Sequence, residues 1–334
     1  MDDGVRQARA YAQAVGGGAR EDSATAVVER VFAIQAQDPV AADLGIRVRG
    51  RGVTAAAVRA AYETERGIVR NWYLRGTLHT VPADDARWLG RLLGPRLIAA
   101  TARRYAQLGL GDALLARSDR LIARLLGTHG SMTRAELTGH LAGLGIGPDG
   151  QAPIHAIRHA ALAGAVCHGP RRAGEPTYVL VEDWLPVPRR DPAEPVVELA
   201  HRYARACGPT GPDDFAAWSG LPAGAARAAW RQVTPSPGPR VPAGPDVRLL
   251  PAYDGYLLGY RDRARSVPAP YERRVWPGGG VLRPTVLVDG LAVGTWTRDG
   301  AVPAVTPFRP LAADVAAALD TEREAVTAFL TAAG

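Results

Sequence analysis

The stretch AVCHGPRRAGEPTYVLV (165–181) decides the fold class, because two apolar runs flank a turn rich in Gly and Pro. This pattern predicts a hairpin with Arg171 and Arg172 near its tip. Upstream, Thr133 and Glu136 have the spacing of a capping box that starts a helix. With short helices predicted over 119–126 and 154–162, the order is three helices and a two-stranded wing. That order is typical of a winged helix.

The flanking segments repeat this theme. Helical spacing is predicted over 5–15, 24–34 and after Thr54, and the segment 68–81 is predicted to be extended. A third helix-turn-helix unit is predicted from three further helices, over 195–207, 213–219 and 221–233. The segment 233–244 is rich in Pro and Gly and is the best linker candidate.

Beyond the linker, the spacing of apolar residues changes from that of helices to that of strands. The segments 247–263 and 284–300 are predicted strands, Asp289-Gly290 is a hairpin signal, and a helix is predicted over 311–333. The fold class is therefore α+β, mainly helical, with tandem winged helix-turn-helix units and a small C-terminal antiparallel β module. The predicted modules are four segments: 1–117, 118–190, 191–240 and 241–334.

Composition excludes several classes of protein. The chain has 334 residues, 47% of them hydrophobic, which excludes a wholly disordered protein and predicts more than one module. The sequence contains no run of about 18 apolar residues, so no membrane span is predicted. The N-terminus lacks the pattern of a secretory signal. Cys167 and Cys207 form no metal-ligand motif, so we expect no metal and no cofactor. We expect a cytoplasmic, reducing environment.

The basic residues are all arginines and give a net charge of +7. A GC-rich genome would by itself favour arginine over lysine, so the total alone carries little information. The distribution is more informative: the segment 47–75 carries a local charge of +5 and the segment 87–134 a local charge of +7. This segregation favours a polyanionic partner, and nucleic acid is the commonest one.

The segment AIQAQDPVAAD (33–43) holds the candidate chemistry. A spacing of two puts Gln35 and Gln37 on opposite sides of a helix but on one face of an extended chain. Pro39 disfavours helical backbone at Asp38, so the two carboxamides converge if the preceding helix ends near Ile34. The alternative is that they cap the helix end or bridge to a neighbouring backbone.

Four segments in this order carry a resemblance: IQAQDP (34–39), WYLRGTLHTVPADDARWL (72–89), LLPAYDGYLLGYRDR (249–263) and RPTVLVDGLAVGTW (283–296). Together they resemble the bacterial winged-helix DNA glycosylases, which include an AlkZ-like azinomycin-resistance branch and a YcaQ-like crosslink-repair branch. The similarity extends from Arg6 to about Phe329. The resemblance implies tandem winged helices that form a concave basic surface.

The resemblance also implies an activity. Members of this family hydrolyse the bond between deoxyribose and a bulky N7-alkylated guanine, and some unhook interstrand crosslinks. The family motif is Gln-x-Gln in one branch and Gln-x-Asp in the other, and Gln35 and Gln37 match the first, which is associated with self-resistance to a genotoxic natural product. The expected partner is double-stranded DNA that carries alkylated guanine, with no membrane partner, and we expect a monomer.

The chemistry is consistent with two carboxamides. Alkylation at N7 makes guanine cationic and a good leaving group, so the enzyme has to stabilise the sugar cation and orient a water molecule. A carboxamide oxygen accepts the hydrogen bonds of that water. Asp38 would point to the opposite face of an extended chain, which favours a local structural role, although it is the rival base. Without lysine, no Schiff base is expected.

Further residues have candidate roles. Besides the catalytic pair Gln35 and Gln37, predicted DNA contacts are Arg47, Arg49, Arg51, Arg75, His79, Arg171 and Arg172. Arg75 and His79 share a face if their segment is a strand, and a structural role for them is equally open. For Arg171 and Arg172 at the wing tip, the alternative is a solvated turn without DNA contact. Asp38, Asp254, Arg261, Asp262 and Arg263 are predicted to be supporting residues that lock local structure.

Two other functions remain open on the sequence alone. Helix-turn-helix units belong more often to DNA-binding regulators than to enzymes, so a non-enzymatic regulator is one alternative. A lesion-binding protein without turnover is the second. Strand breaks at alkylated guanine after heat or alkali treatment would distinguish the glycosylase from both.

Overall fold

A computed structural model describes residues 2–189, 191–234 and 245–333. The chain forms two compact units. Unit 1 combines Met1–Arg59 with Val196–Gly334, and unit 2 is Ala60–Pro195. Among the described helices, none has both the length and the apolar character needed to cross a membrane.

The secondary structure contains both helices and strands. The described helices are α1 Asp2–Ala12, α2 Ala24–Val31, α3 Pro39–Arg47, α4 Ala55–Glu63, α5 Ala83–Gln107, α6 Asp112–His129, α7 Arg134–Leu141, α8 Ala152–Leu162, α9 Val181–Trp184, α10 Pro195–Cys207, α11 Pro212–Ser219, α12 Ala223–Trp230, α13 Gly255–Leu258, α14 Glu272–Val275 and α15 Ala313–Ala333. The described strands are β1 Ile34–Gln35, β2 Ile68–Trp72, β3 Leu78–Pro82, β4 Met132–Thr133, β5 Val166–Arg172, β6 Glu175–Leu180, β7 Val247–Leu250, β8 Thr285–Val288, β9 Leu291–Asp299 and β10 Val302–Pro307.

Unit 2 contains the three helices and the hairpin that the sequence predicts. Thr133 caps α7 because its Oγ1 accepts from the Glu136 N–H at 3.3 Å, while the Glu136 carboxylate accepts from the Thr133 N–H at 2.7 Å, as the capping-box spacing predicts. Strands β5 and β6 pair antiparallel, and the short strand β4 adds to β6. The core beneath them includes Ile122, Leu137 and Ile157, all inaccessible to solvent.

A second hairpin precedes these elements in unit 2. Strands β2 and β3 pair antiparallel, with Trp72 opposite Leu78, and α5 follows directly. The sequence did not predict α5, because Gly90, Gly94 and Pro95 interrupt its helical pattern. Gly94 has a packing role there: a Cβ atom at this position would lie 2.0 Å from the Leu162 carbonyl oxygen of α8.

Unit 1 contains a four-stranded antiparallel sheet of order β10-β9-β8-β7. The β8–β9 turn is at Asp289 and Gly290, as predicted, and both residues have positive φ (49° and 78°). Two positive φ angles are what a type I′ turn requires. A Cβ atom at Gly290 would also lie 2.8 Å from the Tyr256 hydroxyl, so this position needs glycine for space as well.

Some sequence-based boundaries were wrong. The strand predicted over 247–263 ends at Leu250, because Pro251 has no N–H to donate and Asp254 then caps α13. Helix α6 is longer than the predicted 119–126. Most of the linker predicted over 233–244 lies outside the described residues. The two compact units are defined by contacts within the chain, whereas the four predicted modules are defined by the order of helices and strands. The four-module division therefore stays a prediction.

Candidate functional site

The segment between α2 and α3 in unit 1 presents the two glutamines. Helix α2 begins after Ser23, whose hydroxyl accepts from the Ala26 N–H at 3.1 Å, and it ends at Val31. The two residues that follow, Phe32 and Ala33, have φ angles of 44° and 69°. A left-handed conformation costs a non-glycine residue roughly 1–2 kcal/mol, so the backbone is strained immediately before the Gln-x-Gln motif.

Side-chain packing holds this strained conformation. Phe32 is 1% exposed; its ring centroid lies 6.3 Å from that of Trp218, and the Arg202 guanidinium lies 5.4 Å from the ring centre. Arg202 is itself fixed by an ion pair with Glu198 at 2.8 Å. Strained backbone persists only where the surrounding structure over-determines it, and the burial of Phe32 provides that constraint.

Gln35 follows on the short strand β1, and Gln37 lies two residues further on, in a bend. Gln35 ends β1 and is half-buried, Gln37 is exposed, and the side chains of Ile34 and Ala36 on either side of Gln35 are buried. This alternation is that of an extended segment with one covered face. The predicted convergence of the two carboxamides requires that the preceding helix end near Ile34. Helix α2 ends at Val31, so this requirement is met.

Asp38 has a structural role at the start of α3. Its Oδ1 accepts from the backbone N–H groups of Val40 and Ala41, at 2.8 and 3.2 Å, and Pro39 occupies the first helical position. In the sequence, Pro39 predicts a break in helical backbone at Asp38. An Asp N-cap followed by Pro at N1 is also a helix-start signal, and it would have predicted α3.

Arg49 is not a DNA contact, which corrects the sequence-based prediction. It is 1% exposed, and its guanidinium forms two hydrogen bonds with the Asp254 carboxylate, at 2.7 and 2.8 Å. It also donates to the carbonyl oxygens of Gln13 and Gly45, each at 2.9 Å. A buried ion is stabilised only when its partners are this complete, so Arg49 belongs to the core of unit 1.

The neighbouring arginines differ in exposure. The Arg47 Nη1 lies 2.6 Å from the Glu322 carboxylate, and both side chains are largely buried; this ion pair favours a structural role, and the DNA contact of Arg47 stays a prediction. Arg51 pairs with Asp22 at 3.1 Å, and both of these side chains are mostly exposed. Of the three arginines in this segment, only Arg51 presents its guanidinium to solvent.

In unit 2, the residues Arg75 and His79 do not share an open face. Arg75 lies in the β2–β3 turn with a φ of 54° and is exposed. His79 is 2% exposed, and burial, together with the charge of Arg75, lowers the pKa of its ring to about 3. The His79 ring is therefore neutral and internal, and the prediction that it faces DNA is wrong.

The β5–β6 hairpin places Arg171 and Arg172 at its tip, as predicted, and both are exposed. The Arg172 guanidinium pairs with Glu136, the carboxylate of the capping box. The capping hydrogen bond from the Thr133 N–H and this arginine lower the pKa of Glu136. Arg171 donates its backbone N–H to Glu63 at 2.9 Å, which ties the hairpin to α4 within unit 2 and leaves the tip on the surface.

Asp254 supports local structure, as the sequence predicts. Besides its pair with Arg49, its Oδ1 accepts from the Tyr256 N–H at 2.8 Å and caps α13.

The three charged residues after α13 also stabilise local structure. Arg261 donates its backbone N–H to the Asp214 carboxylate at 2.8 Å, and Asp262 accepts from a backbone N–H two residues further on at 2.9 Å. The Arg263 guanidinium lies over the Trp276 ring, 4.6 Å from its centre. These contacts fix a loop of unit 1 and involve no reactive group.

The site contains no metal-ligand cluster in the described ranges: no three His, Cys, Asp or Glu side chains come together there. The candidate residues are Gln35 on β1 and Gln37 in the bend that follows, next to the turn at the buried Phe32. This strained turn could not be predicted from the sequence, because Phe32 and Ala33 have positive φ and neither is a glycine or an asparagine, the residues that usually indicate such a turn.

Comparisons with known proteins agree with one another. A family model described as "DNA glycosylase AlkZ-like" matches residues 28–329. An "Interstrand DNA cross-link repair glycosylase" from Streptomyces sahachiroi is 27% identical over 332 residues, covering 86% of this chain and 85% of that protein. The solved structure of the Streptomyces sahachiroi DNA glycosylase AlkZ is similar with a TM-score of 0.77 and 22% identity, covering 97% of this chain and 96% of that one.

Proposed function

The chain belongs to the AlkZ-like DNA glycosylase family, and from that premise we propose that it hydrolyses the N-glycosidic bond of bulky N7-alkylguanine adducts in double-stranded DNA. The proposal includes guanines joined in interstrand crosslinks, since the similar protein from Streptomyces sahachiroi is named for crosslink repair. We further propose that the chain acts as a monomer in the cytoplasm and protects its host from a genotoxic natural product.

The accessibility of Gln35, between the buried side chains of Ile34 and Ala36, and the exposure of Gln37 beyond them support this proposal. In the proposed mechanism the two carboxamide oxygens accept hydrogen bonds from one water molecule and direct it at C1′ of the damaged nucleotide. The N7-alkylated guanine leaves without prior protonation because it is already cationic. The amide dipoles stabilise the sugar cation that develops as the bond breaks.

The test is an excision assay on a duplex that carries one bulky N7-alkylguanine, followed by heat or alkali to cleave abasic sites. We expect strand breaks well above the spontaneous background, and a rate about 10²–10³-fold lower for Gln35→Ala or Gln37→Ala. The matched control is Gln232→Ala, which removes an exposed carboxamide at the end of α12. Unchanged rates in both motif variants would refute the mechanism.

The same assay distinguishes the alternative functions. Binding to the damaged duplex without strand breaks would support a lesion-binding protein. Tight binding to one undamaged sequence, with no preference for the lesion, would support a regulator. A sensitive host that expresses the chain should survive an N7-alkylating natural product, and the Gln35→Ala variant should not protect it.

The proposed hydrolysis uses water as the nucleophile, and the sequence has no lysine that could form a Schiff base with the sugar. Borohydride added during turnover should therefore trap no protein–DNA adduct. A band of trapped complex would implicate an amine of the protein as nucleophile and would replace the water mechanism.

A further inference from the structure

Helix α5 packs against α8 in unit 2, and basic side chains lie along this contact. The Thr101 Oγ1 on α5 accepts from the Arg158 guanidinium on α8 at 3.0 Å. The Tyr105 ring meets the His155 ring edge-on, with the ring centroids 6.0 Å apart. Residues three or four apart share one side of a helix, so these contacts join one side of α5 to one side of α8.

Two guanidinium groups at this contact are held by neutral partners. Besides its bond to α5, Arg158 donates to the Gly76 carbonyl oxygen at 3.4 Å. Arg104 is exposed and donates to the side-chain oxygens of Gln107 and Gln151, at 3.2 and 2.7 Å. In the part of the chain that the structure describes, neither guanidinium forms an ion pair with a carboxylate. The hydrogen bonds therefore orient both groups without neutralising their charge.

The surroundings of the two guanidinium groups are positive as well. Burial, followed by the charges of Arg158 and Arg104, lowers the pKa of the His155 ring, so both charges act on one ring. Helix α8 begins at Ala152, beside Gln151, whose side chain makes no capping hydrogen bond. The N-terminus of a helix carries a positive partial charge. Two unneutralised cations and a helix N-terminus thus lie together, which favours an anionic ligand.

The packing of the two helices limits what this face can contact. Helix α8 is the third helix before the β5–β6 hairpin, the place of the recognition helix in a winged helix. Helix α5 covers the side of α8 that carries His155 and Arg158. Two packed helices measure roughly 20 Å across, whereas the major groove of DNA is about 12 Å wide. With this face, the pair can approach the sugar-phosphate backbone but cannot enter the groove.

We propose that Arg104 and Arg158 form a binding site for backbone phosphates of double-stranded DNA. Residues 151 and 158, which mark the two ends of the site on α8, are about 10 Å apart along the helix axis. Because one strand of DNA rises about 3.4 Å per nucleotide, the two guanidinium groups contact phosphates about three nucleotides apart. Phosphate contacts position a protein on DNA and carry no sequence information. The choice of DNA as the polyanion rests on the proposed function.

The salt dependence of binding to an undamaged duplex tests the site. Arg104→Gln and Arg158→Gln should each reduce the slope of log affinity against log salt by about 1, and the double variant by about 2. The matched control is Arg91→Gln, which removes the same charge from α5 but from a guanidinium paired with Asp191; its slope should not change. Unchanged slopes in the first two variants, or an equal reduction in the control, would overturn the proposal.

Conservative variants separate charge from structure. Arg158→Lys keeps the positive charge but lacks the guanidinium that reaches both Thr101 and Gly76, so its slope should equal that of the unaltered chain. A slope as low as that of Arg158→Gln would show that Arg158 only holds the helices together. If Arg158→Gln has a lower melting temperature, Arg104→Gln decides, because Arg104 is exposed and its removal disturbs no core contact.

Single-turnover excision distinguishes this site from the proposed function. On a duplex with one N7-alkylguanine, Arg104→Gln should raise the protein concentration needed for half-maximal rate and leave the maximal rate constant unchanged. The expected slope changes without any excision would refute the proposed function and leave this site in place. Normal excision with unchanged slopes would refute this site alone. Slope changes with an RNA duplex but not with DNA would overturn the assignment to DNA.

Discussion

A buried ion pair in unit 1 contrasts with two buried histidines in unit 2. In unit 1 Arg49 and Asp254 are buried as a bidentate ion pair. In unit 2 His79 and His168 are buried, and burial lowers the pKa of each ring to about 3, so both are neutral at physiological pH. A buried ion is retained where an opposite charge is in contact, and a titratable group is neutralised where burial dominates.

The largest expected effect comes from breaking the ion pair of unit 1. Arg49→Ala leaves the Asp254 carboxylate buried without its counter-ion, so the free energy of unfolding should fall by about 3–5 kcal/mol in urea denaturation. The matched control is Arg51→Ala, which lies two residues away and is exposed; it should change the stability by less than about 0.5 kcal/mol. Equal effects of the two variants would contradict the structural role of Arg49.

Acidification should weaken unit 2. Because the pKa of each buried histidine is lower in the folded than in the unfolded chain, the unfolded state binds more protons between about pH 6.5 and the folded value of about 3. The stabilisation is complete above the unfolded pKa and is lost as the pH falls through this window. From pH 7 to pH 5 the loss should be roughly 2 kcal/mol per ring.

Denaturation at several pH values measures this loss. His168→Gln should reduce the pH-dependent loss by about half. His129→Gln serves as the control because His129 is exposed at the end of α6, and it should leave the dependence unchanged. A stability that stays constant down to pH 5 in the unaltered chain would show that the rings are not buried as neutral groups.

Asp38 is an intermediate case, since it is exposed and its partners are backbone N–H groups. Asp38→Ala should lower the free energy of unfolding by about 1 kcal/mol through loss of the N-cap, whereas Asp38→Asn should preserve it. If Asp38 serves only as a cap, Asp38→Asn should also keep the excision rate within about threefold. A loss of excision in a stable Asp38→Asn protein would identify Asp38 as the base.

The smallest expected effects come from exposed arginines, one in each unit. We expect Arg51→Gln and Arg171→Gln each to reduce the slope of log affinity against log salt by about 1, as for one lost phosphate contact. Arg227→Gln is the matched control, because it removes an exposed arginine that pairs with Asp213 at 3.0 Å. If only one of the two variants changes the slope, only that arginine contacts a phosphate, and the predicted DNA contact of the other is wrong.

Local rules predicted much of the fold. The capping box at Thr133, the Asp289-Gly290 turn and the hairpin with Arg171 at its tip depend on residues within a few positions of one another. Propensity and turn geometry act over that range, so the sequence was sufficient. The extended conformation at Gln35 was predicted for the same reason.

Burial of charge could not be predicted in this way. Arg47, Arg49 and Arg51 look equivalent in the sequence, yet Arg49 pairs with a residue 205 positions away and Arg47 with one 275 positions away. Nothing local to an arginine indicates whether a distant carboxylate will meet it. The same limit applies to His79 on β3, where the alternation of a strand does not tell which face is covered.

The sequence by itself determined the extended backbone at Gln35, the hairpin with Arg171 and Arg172 at its tip, and the tight turn at Asp289 and Gly290. The tertiary structure alone decided that Phe32 is buried and holds a left-handed turn before the motif, and that Arg49 is internal while Arg51 is exposed. It also decided that Arg104 and Arg158 lie at one contact between α5 and α8. Helix caps and tight turns depend on neighbouring residues, whereas burial depends on contacts between residues that are far apart in the chain.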